Sequence, residues 1–222
     1  MMRAFLAGIA LASSLAFPAL AADDECQGIF SRDTGFAAAE VGPGAARLNF
    51  LDSPRANSTQ AQAFLVPGDV VVISRLAGGY GCASYLNTRG QATTGWLPMD
   101  ALRPVLEQRK VAPARWVGTW RGNRGLDQEV RIAGGDTGPL HITGSASWGR
   151  MDPDRVSRGA VNAGSLQADA RPHGNALSLA EGDDELECHA RMLLLGPYLV
   201  VQDNLRCGGM NVTFSGLYRR AS

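Results

Sequence analysis

The chain is poor in lysine and histidine: of its 21 basic residues only Lys110 is lysine, and there are three histidines. Those 21 basic residues balance 21 acidic ones, giving a formal net charge of zero. This argues against a nucleic-acid binder, which needs a basic patch to displace counterions. Charged residues make up 19% of the chain, below the usual ~25%, while 45% hydrophobic residues are too many for a disordered chain. The motifs of common catalytic sites are also missing. There is no H-E-x-x-H, C-x-x-C, G-x-S-x-G or S-x-x-K in the sequence, and each needs its spacing to bring ligands or nucleophile and base together. His141, His173 and His189 have no second ligand at helical spacing, and Ser145 and Ser147 sit in a strand-like Gly-Ser-Ala-Ser-Trp run. The acidic stretch Glu181 to Glu185 lacks the register of a calcium loop. The reading is therefore of a protein with no catalytic residues, no metal and no cofactor.

What is present is export chemistry and many short strands. Arg3, the apolar run Ala4 to Leu15, Phe17-Pro18 and Ala19-Leu20-Ala21 read as a signal peptide over residues 1–22. That run is shorter than the ~20 residues a membrane-spanning helix needs, and no later run is long enough. The four cysteines, Cys26, Cys82, Cys188 and Cys207, all lie beyond it. An even number in an oxidising compartment implies two disulfides. Of the three possible pairings, proximity in sequence and the division of the chain favour Cys26–Cys82 and Cys188–Cys207. The compartment implied is the periplasm or the outside of the cell.

Twenty-seven glycines without collagen periodicity mean many turns. Phe36 to Glu40, rich in alanine, is the best helix candidate before Gly42-Pro43-Gly44 stops it. Strands are expected at Arg47–Leu51, Gln62–Val66, Asp69–Leu76, Tyr80–Leu86 and Thr94–Pro98. Pro67-Gly68 and Gly78-Gly79 supply turns between them. A linker is read over residues 108–114, between a first domain (23–107) and a second (115–222). The first carries 6 basic and 9 acidic residues, and residues 108–222, linker included, carry 14 and 12, so neither departs far from neutrality. The second domain opens with Trp116 to Trp120 and continues with expected strands at Asp127–Ile132, Leu140–Trp148, Arg155–Asn162, Ser165–Ala168, Ala176–Ala180, Glu185–Leu195, Tyr198–Asp203 and Asn211–Tyr218. About eight antiparallel strands in a hundred residues close most economically as a barrel, which leaves no exposed edge.

The run Phe64-Leu65-Val66-Pro67-Gly68-Asp69-Val70-Val71-Val72, then Tyr80 to Tyr85, then Thr94-Gly95-Trp96-Leu97 resembles the bacterial SH3-like (SH3b) domains over about sixty residues. The fold class expected is thus all-β, an SH3-like small barrel followed by an antiparallel eight-stranded β-barrel. The resemblance implies a recognition module of the cell envelope without catalytic residues, binding peptidoglycan or a protein partner. Leu48 to Pro54 departs from the Leu-Arg-x-x-Pro common in that family, which leaves the ligand type open. Tyr80, Tyr85 and Trp96 are the groove candidates, with Tyr80 the better of them and Trp96 read as core before groove. In the second domain, Gly118-Thr119-Trp120 followed by Gly134 to Gly144 is similar to the first hairpin of avidin-like and lipocalin-like barrels. The stretch Cys188 to Arg219 resembles uncharacterised secreted proteobacterial proteins. Trp120 is expected on the barrel floor with Arg219 stacked on it, and Trp148 at a barrel mouth. Two rival functions accompany this reading: a carrier of a small apolar ligand, excluded if Ile142, Leu177, Met192 and Val200 fill the barrel, and an inhibitor of a lysozyme-type hydrolase.

Overall fold

The computed structural model describes residues 25–29, 35–44, 46–106, 111–135, 137–184 and 186–221. The expected signal peptide and residues 108–110 of the expected linker lie outside them. The described chain is all-β, with fifteen strands in two antiparallel sheets.

The first sheet has seven strands: β1 (Ala37–Val41), β2 (Leu48–Leu51), β3 (Gln60–Leu65), β4 (Val70–Ala77), β5 (Tyr80–Leu86), β6 (Ala92–Pro98) and β7 (Leu102–Pro104). They lie in the order β3-β2-β6-β5-β4-β1-β7. A single 3₁₀ turn, Met99–Ala101, links β6 to β7. Its core is built by Val41, Phe50, Leu65, Val71, Ala83 and Leu97. β1 corrects the helix expected over Phe36 to Glu40. Five residues are too few to nucleate a helix unaided, and the segment pairs with both β4 and β7. Ala38 and Ala39 are buried on opposite faces, so their small size serves close packing on both sides of the sheet. The Pro67-Gly68 turn forms as expected: Gly68 has φ +90°, a conformation that favours glycine, and the Asp69 carboxylate accepts from the Val66 N–H at 2.9 Å.

The second sheet has eight strands: β8 (Gly118–Arg121), β9 (Glu129–Ala133), β10 (Leu140–Trp148), β11 (Asn162–Ala170), β12 (Ala176–Ala180), β13 (His189–Leu195), β14 (Tyr198–Asp203) and β15 (Gly216–Arg220). The first strand of this meander pairs with the last, giving β11-β10-β9-β8-β15-β14-β13-β12. The sheet is thus a nearly closed barrel, with its one break between β11 and β12. There the Gln167 N–H donates to a Glu181 carboxylate oxygen at 2.6 Å.

Two expected strands are corrected. Arg155–Asn162 is replaced at its start by the short helix α1 (Pro153–Ser157). Asp152 caps it by accepting from the N–H groups of Asp154 and Arg155, with proline in the first turn, where its missing N–H costs nothing. Asn211 to Ser215 is a turn rather than strand, because the buried Asp203 carboxylate gathers it. It accepts from Thr213 Oγ1 at 2.6 Å, Ser215 Oγ at 2.6 Å and Phe214 N–H at 3.0 Å.

Both disulfides form as expected, Cys26–Cys82 and Cys188–Cys207. Such bonds persist in oxidising compartments. No helix among the described residues is long and apolar enough to cross a membrane.

Candidate functional site

The two sheets meet through a hydrophobic cluster of their own. Ile29 of the N-terminal segment and Ala38, Val72 and Leu86 of the first sheet pack on Leu193, Leu195, Val200 and Leu217 from the barrel wall. β14 explains the geometry. Its six residues are all buried, because Leu199 and Val201 face the barrel interior while Tyr198 and Val200 face the first sheet.

Polar groups stitch this junction. The Tyr198 hydroxyl donates to the Val70 carbonyl at 2.7 Å, and Arg219 Nη2 donates to the same hydroxyl oxygen at 2.8 Å. Arg219 Nε donates to the Leu86 carbonyl. The guanidinium lies 4.6 Å from the Tyr198 ring centre and 5.9 Å from that of Tyr85, within cation–π range. Tyr85 donates its hydroxyl to Asp69 at 3.0 Å. Burial pushes the Tyr198 phenol up to about 12, more than Arg219 pulls it down. Burial, then the hydrogen bond to Asp69, raises Tyr85. Both are neutral hydrogen-bond donors near neutral pH, which suits them to holding structure and not to proton transfer.

Beside this network a cleft of about 860 Å³ opens between the domains. One side is the β5–β6 turn, Asn87 to Gly90; the other is the outer wall of β8, β9 and β15, with Arg121, Glu129 and Arg219, and the end of β15 at Arg220. The volume falls within the range of ligand-binding clefts. Four arginines line it, counting Arg89, against two carboxylates, Asp127 and Glu129. Arg121 and Arg131 hold Glu129 by ion pairs at 3.2 and 2.8 Å, and the bond to Arg131 is the main reason its carboxyl titrates below the usual range.

The expected site residues are scattered. Tyr85 stands at the junction. Tyr80 is partly buried opposite Pro98 in the β5–β6 ladder, away from the cleft lining. Trp96 is fully buried, which corrects its place among groove residues. The segment from Glu25 to Ile29 crosses its face of the sheet: Cys26 is bonded to Cys82, the cross-strand partner of Trp96. Arg75 lies 5.1 Å from the Trp96 ring and donates to the Glu25 carbonyl at 2.7 Å.

In the barrel, Trp120 is buried and donates from Nε1 to the Trp116 carbonyl at 2.8 Å. The cation over it is Arg220, at 4.9 Å, and not Arg219. The register sets Arg220 opposite Trp120, so Arg219 points outward to the first sheet. Trp148, at the end of β10, is capped by Arg155 of α1 at 4.1 Å. Ile142, Leu177 and Met192 pack in the barrel interior beside Trp116, Phe214 and Tyr218, whereas Val200 faces the junction. Among the described residues no group of three or more His, Cys, Asp or Glu is placed to hold a metal ion.

Tyr198 and Asp69 were not singled out by sequence reasoning. A signal was available in Leu193-Leu194-Leu195-Gly196-Pro197-Tyr198-Leu199-Val200-Val201. A hairpin with no polar alternation belongs to strands buried on both faces, and in a barrel the outer face then needs a cover.

No protein-family model, curated protein or solved structure matches the chain.

Proposed function

We propose that this is an exported, non-catalytic recognition protein of the bacterial cell envelope, in which an SH3-like module and a β-barrel are fused into one body that binds peptidoglycan peptides in the cleft between them. The strand order β7-β1-β4-β5-β6, with a 3₁₀ turn before β7 and the β2–β3 hairpin inserted after β1, supports the SH3-like reading. That is the arrangement of SH3-like barrels. The observation that carries the functional reading is the cleft itself. It is lined from both domains and is rich in guanidinium groups, which bind carboxylates in a planar fork. Wall peptides offer free carboxylates and amide groups. The barrel interior, filled by its own side chains, lends no support to an apolar-ligand carrier.

The test is co-sedimentation of the mature chain with purified peptidoglycan sacculi. Binding that falls at least severalfold in Arg89→Ala and Arg121→Ala, both on the cleft wall, is the expected result. Absence of binding to sacculi, or binding indifferent to both substitutions, would overturn it.

A further inference from the structure

Around one rim of the barrel lies a second set of features, most of which the cleft does not use. The register defines this rim: Arg121 pairs with Glu129, Trp148 with Asn162, Ala180 with His189 and Val201 with Gly216. The β8–β9, β10–β11, β12–β13 and β14–β15 connections all turn there. Five exposed large apolar side chains stand on them: Met151, Val156, Leu186, Leu205 and Met210. Leu186, Leu205 and Met210 are 68%, 64% and 78% exposed and are absent from the cleft lining. Their loops are tied together by the Cys188–Cys207 disulfide. Asn204 Nδ2 also donates to the Glu187 carbonyl, and Asn162 Nδ2 to the Met210 carbonyl, each at 2.6 Å.

The backbone at this rim is unusual too. Among the described residues, the non-glycine residues with left-handed φ are Asp127 (46°), Leu205 (61°) and Asn211 (66°), and all three lie here. For asparagine and aspartate that conformation is common; for leucine it is costly. A strained backbone that presents a leucine to water gains nothing from burial within the fold, and exposed apolar clusters of this kind mark interaction surfaces.

The charge beside the apolar strip selects the partner. The β12–β13 turn carries Glu181, Asp183, Asp184 and Glu187, with no basic residue in the stretch. The carboxylates of Glu181, Asp184 and Glu187 accept from backbone N–H groups of Gln167, Leu186 and Asp184, and the ion pairs among the described residues engage none of the three. The arginines of the β10–β11 connection are held locally: Arg150 by Asp127 at 3.3 Å, Arg155 by Asp152 at 3.4 Å, and Arg158 by the Asp154 carbonyl at 3.1 Å. Arg206 adjoins Leu205.

We infer that this rim is a docking surface for a cationic protein. The acidic turn steers the partner and speeds its arrival, and Leu186 and Leu205 seat in an apolar depression on its surface. The part of this surface around Leu186, Leu205 and the acidic turn lies outside the proposed peptide cleft, which shares with the rim Met151 and the β8–β9 connection, and the inference does not depend on that cleft.

The experiment is interferometry of the whole exported chain against three immobilised cationic proteins: hen egg-white lysozyme, cytochrome c and ribonuclease A. Binding to at least one is expected, weakening as ionic strength rises. Asp183→Asn with Asp184→Asn should slow association and leave dissociation nearly unchanged. Leu205→Gly should weaken binding about tenfold or more while raising Tm, because glycine adopts this φ without strain. That pairing of a more stable protein with a weaker complex separates recognition from folding. Binding to none of the three, or an affinity unchanged in both Leu205→Gly and Leu186→Ser, would overturn the inference.

Discussion

The hydroxyl of Tyr198 donates to the carbonyl of Val70 across the junction of the two sheets, 2.7 Å away and 128 residues apart in the chain. One buried phenol thus satisfies a strand carbonyl of the first domain while accepting from Arg219 of the barrel. The surrounding cluster is apolar, so the hydrogen bonds fix orientation and the hydrophobic contacts supply the attraction.

Replacement of Tyr198 by phenylalanine tests this coupling. It leaves the Val70 carbonyl and one Arg219 donor without their partner, at a cost of about 1–3 kcal/mol for a buried unsatisfied group. Denaturant unfolding of the native protein should be a single transition by tryptophan fluorescence and by far-ultraviolet dichroism. In Tyr198→Phe the midpoint falls, and the two probes should separate as the domains begin to unfold independently.

Alkaline pH should loosen the same junction. A phenol whose folded pKa is raised binds its proton more tightly in the folded state, so its stabilising contribution is intact below the unfolded value near 10. It is lost as pH rises toward about 12 for Tyr198. Tyr85 and the fully buried Tyr218, both also raised, act in the same direction. Stability measured between pH 9 and pH 12 should therefore fall, and it should fall less steeply in Tyr198→Phe.

The Cys26–Cys82 bond holds the strap over Trp96. Its sequence separation of 56 gives about 4 kcal/mol by loop-entropy reasoning, against about 3 kcal/mol for the separation of 19 at Cys188–Cys207. Cys26→Ser with Cys82→Ser should lower stability by an amount of that order and shift tryptophan emission to the red as water reaches Trp96. Cys188→Ser with Cys207→Ser should destabilise without uncovering Trp96.

Close backbone approach makes Gly164 irreplaceable. An added Cβ would stand 2.3 Å from the Cys207 carbonyl oxygen and 2.8 Å from Gly208 Cα, atoms that cannot rotate away. Gly164→Ala should cost more than about 2 kcal/mol. Gly135→Ala, where nothing lies within 4 Å and φ is not left-handed, should be neutral or slightly stabilising. Thermal unfolding of the two variants side by side checks the contrast.

Strands bounded by strong turn residues were legible to the residue: Tyr80–Leu86, Leu140–Trp148, Ala176–Ala180 and Tyr198–Asp203 coincide with β5, β10, β12 and β14. The failures have local causes. Ala37–Val41 reads as helix by propensity, yet pairing on both sides overrides propensity in so short a segment. Asp152-Pro153 carries a cap and a first-turn proline, a helix signal masked by the β-rich context. Arg219 was assigned to Trp120 because the register was off by one residue, and in a strand one residue exchanges the two faces.

The candidate cleft was not legible at all. Apolar pattern tells that the outer face of β14 is covered, but not by which part of the chain. The pairing of a first-domain turn with a barrel wall rests on contacts distant in sequence. Tyr85 alone among the groove candidates was placed at this junction.

The seam between β8 and β15 bears on how the molecule assembles. These are the first and last strands of the barrel, so their pairing closes a long loop and comes late. Leu217 and Arg219 reach the junction only with β15. Until then a nascent barrel presents two unpaired strand edges and an uncovered apolar wall, the conditions under which chains associate wrongly. The final strand therefore acts as a latch that joins the two halves of the barrel sheet and fastens the domains in one step, and a polypeptide lacking it would be a substrate for chaperones and proteases.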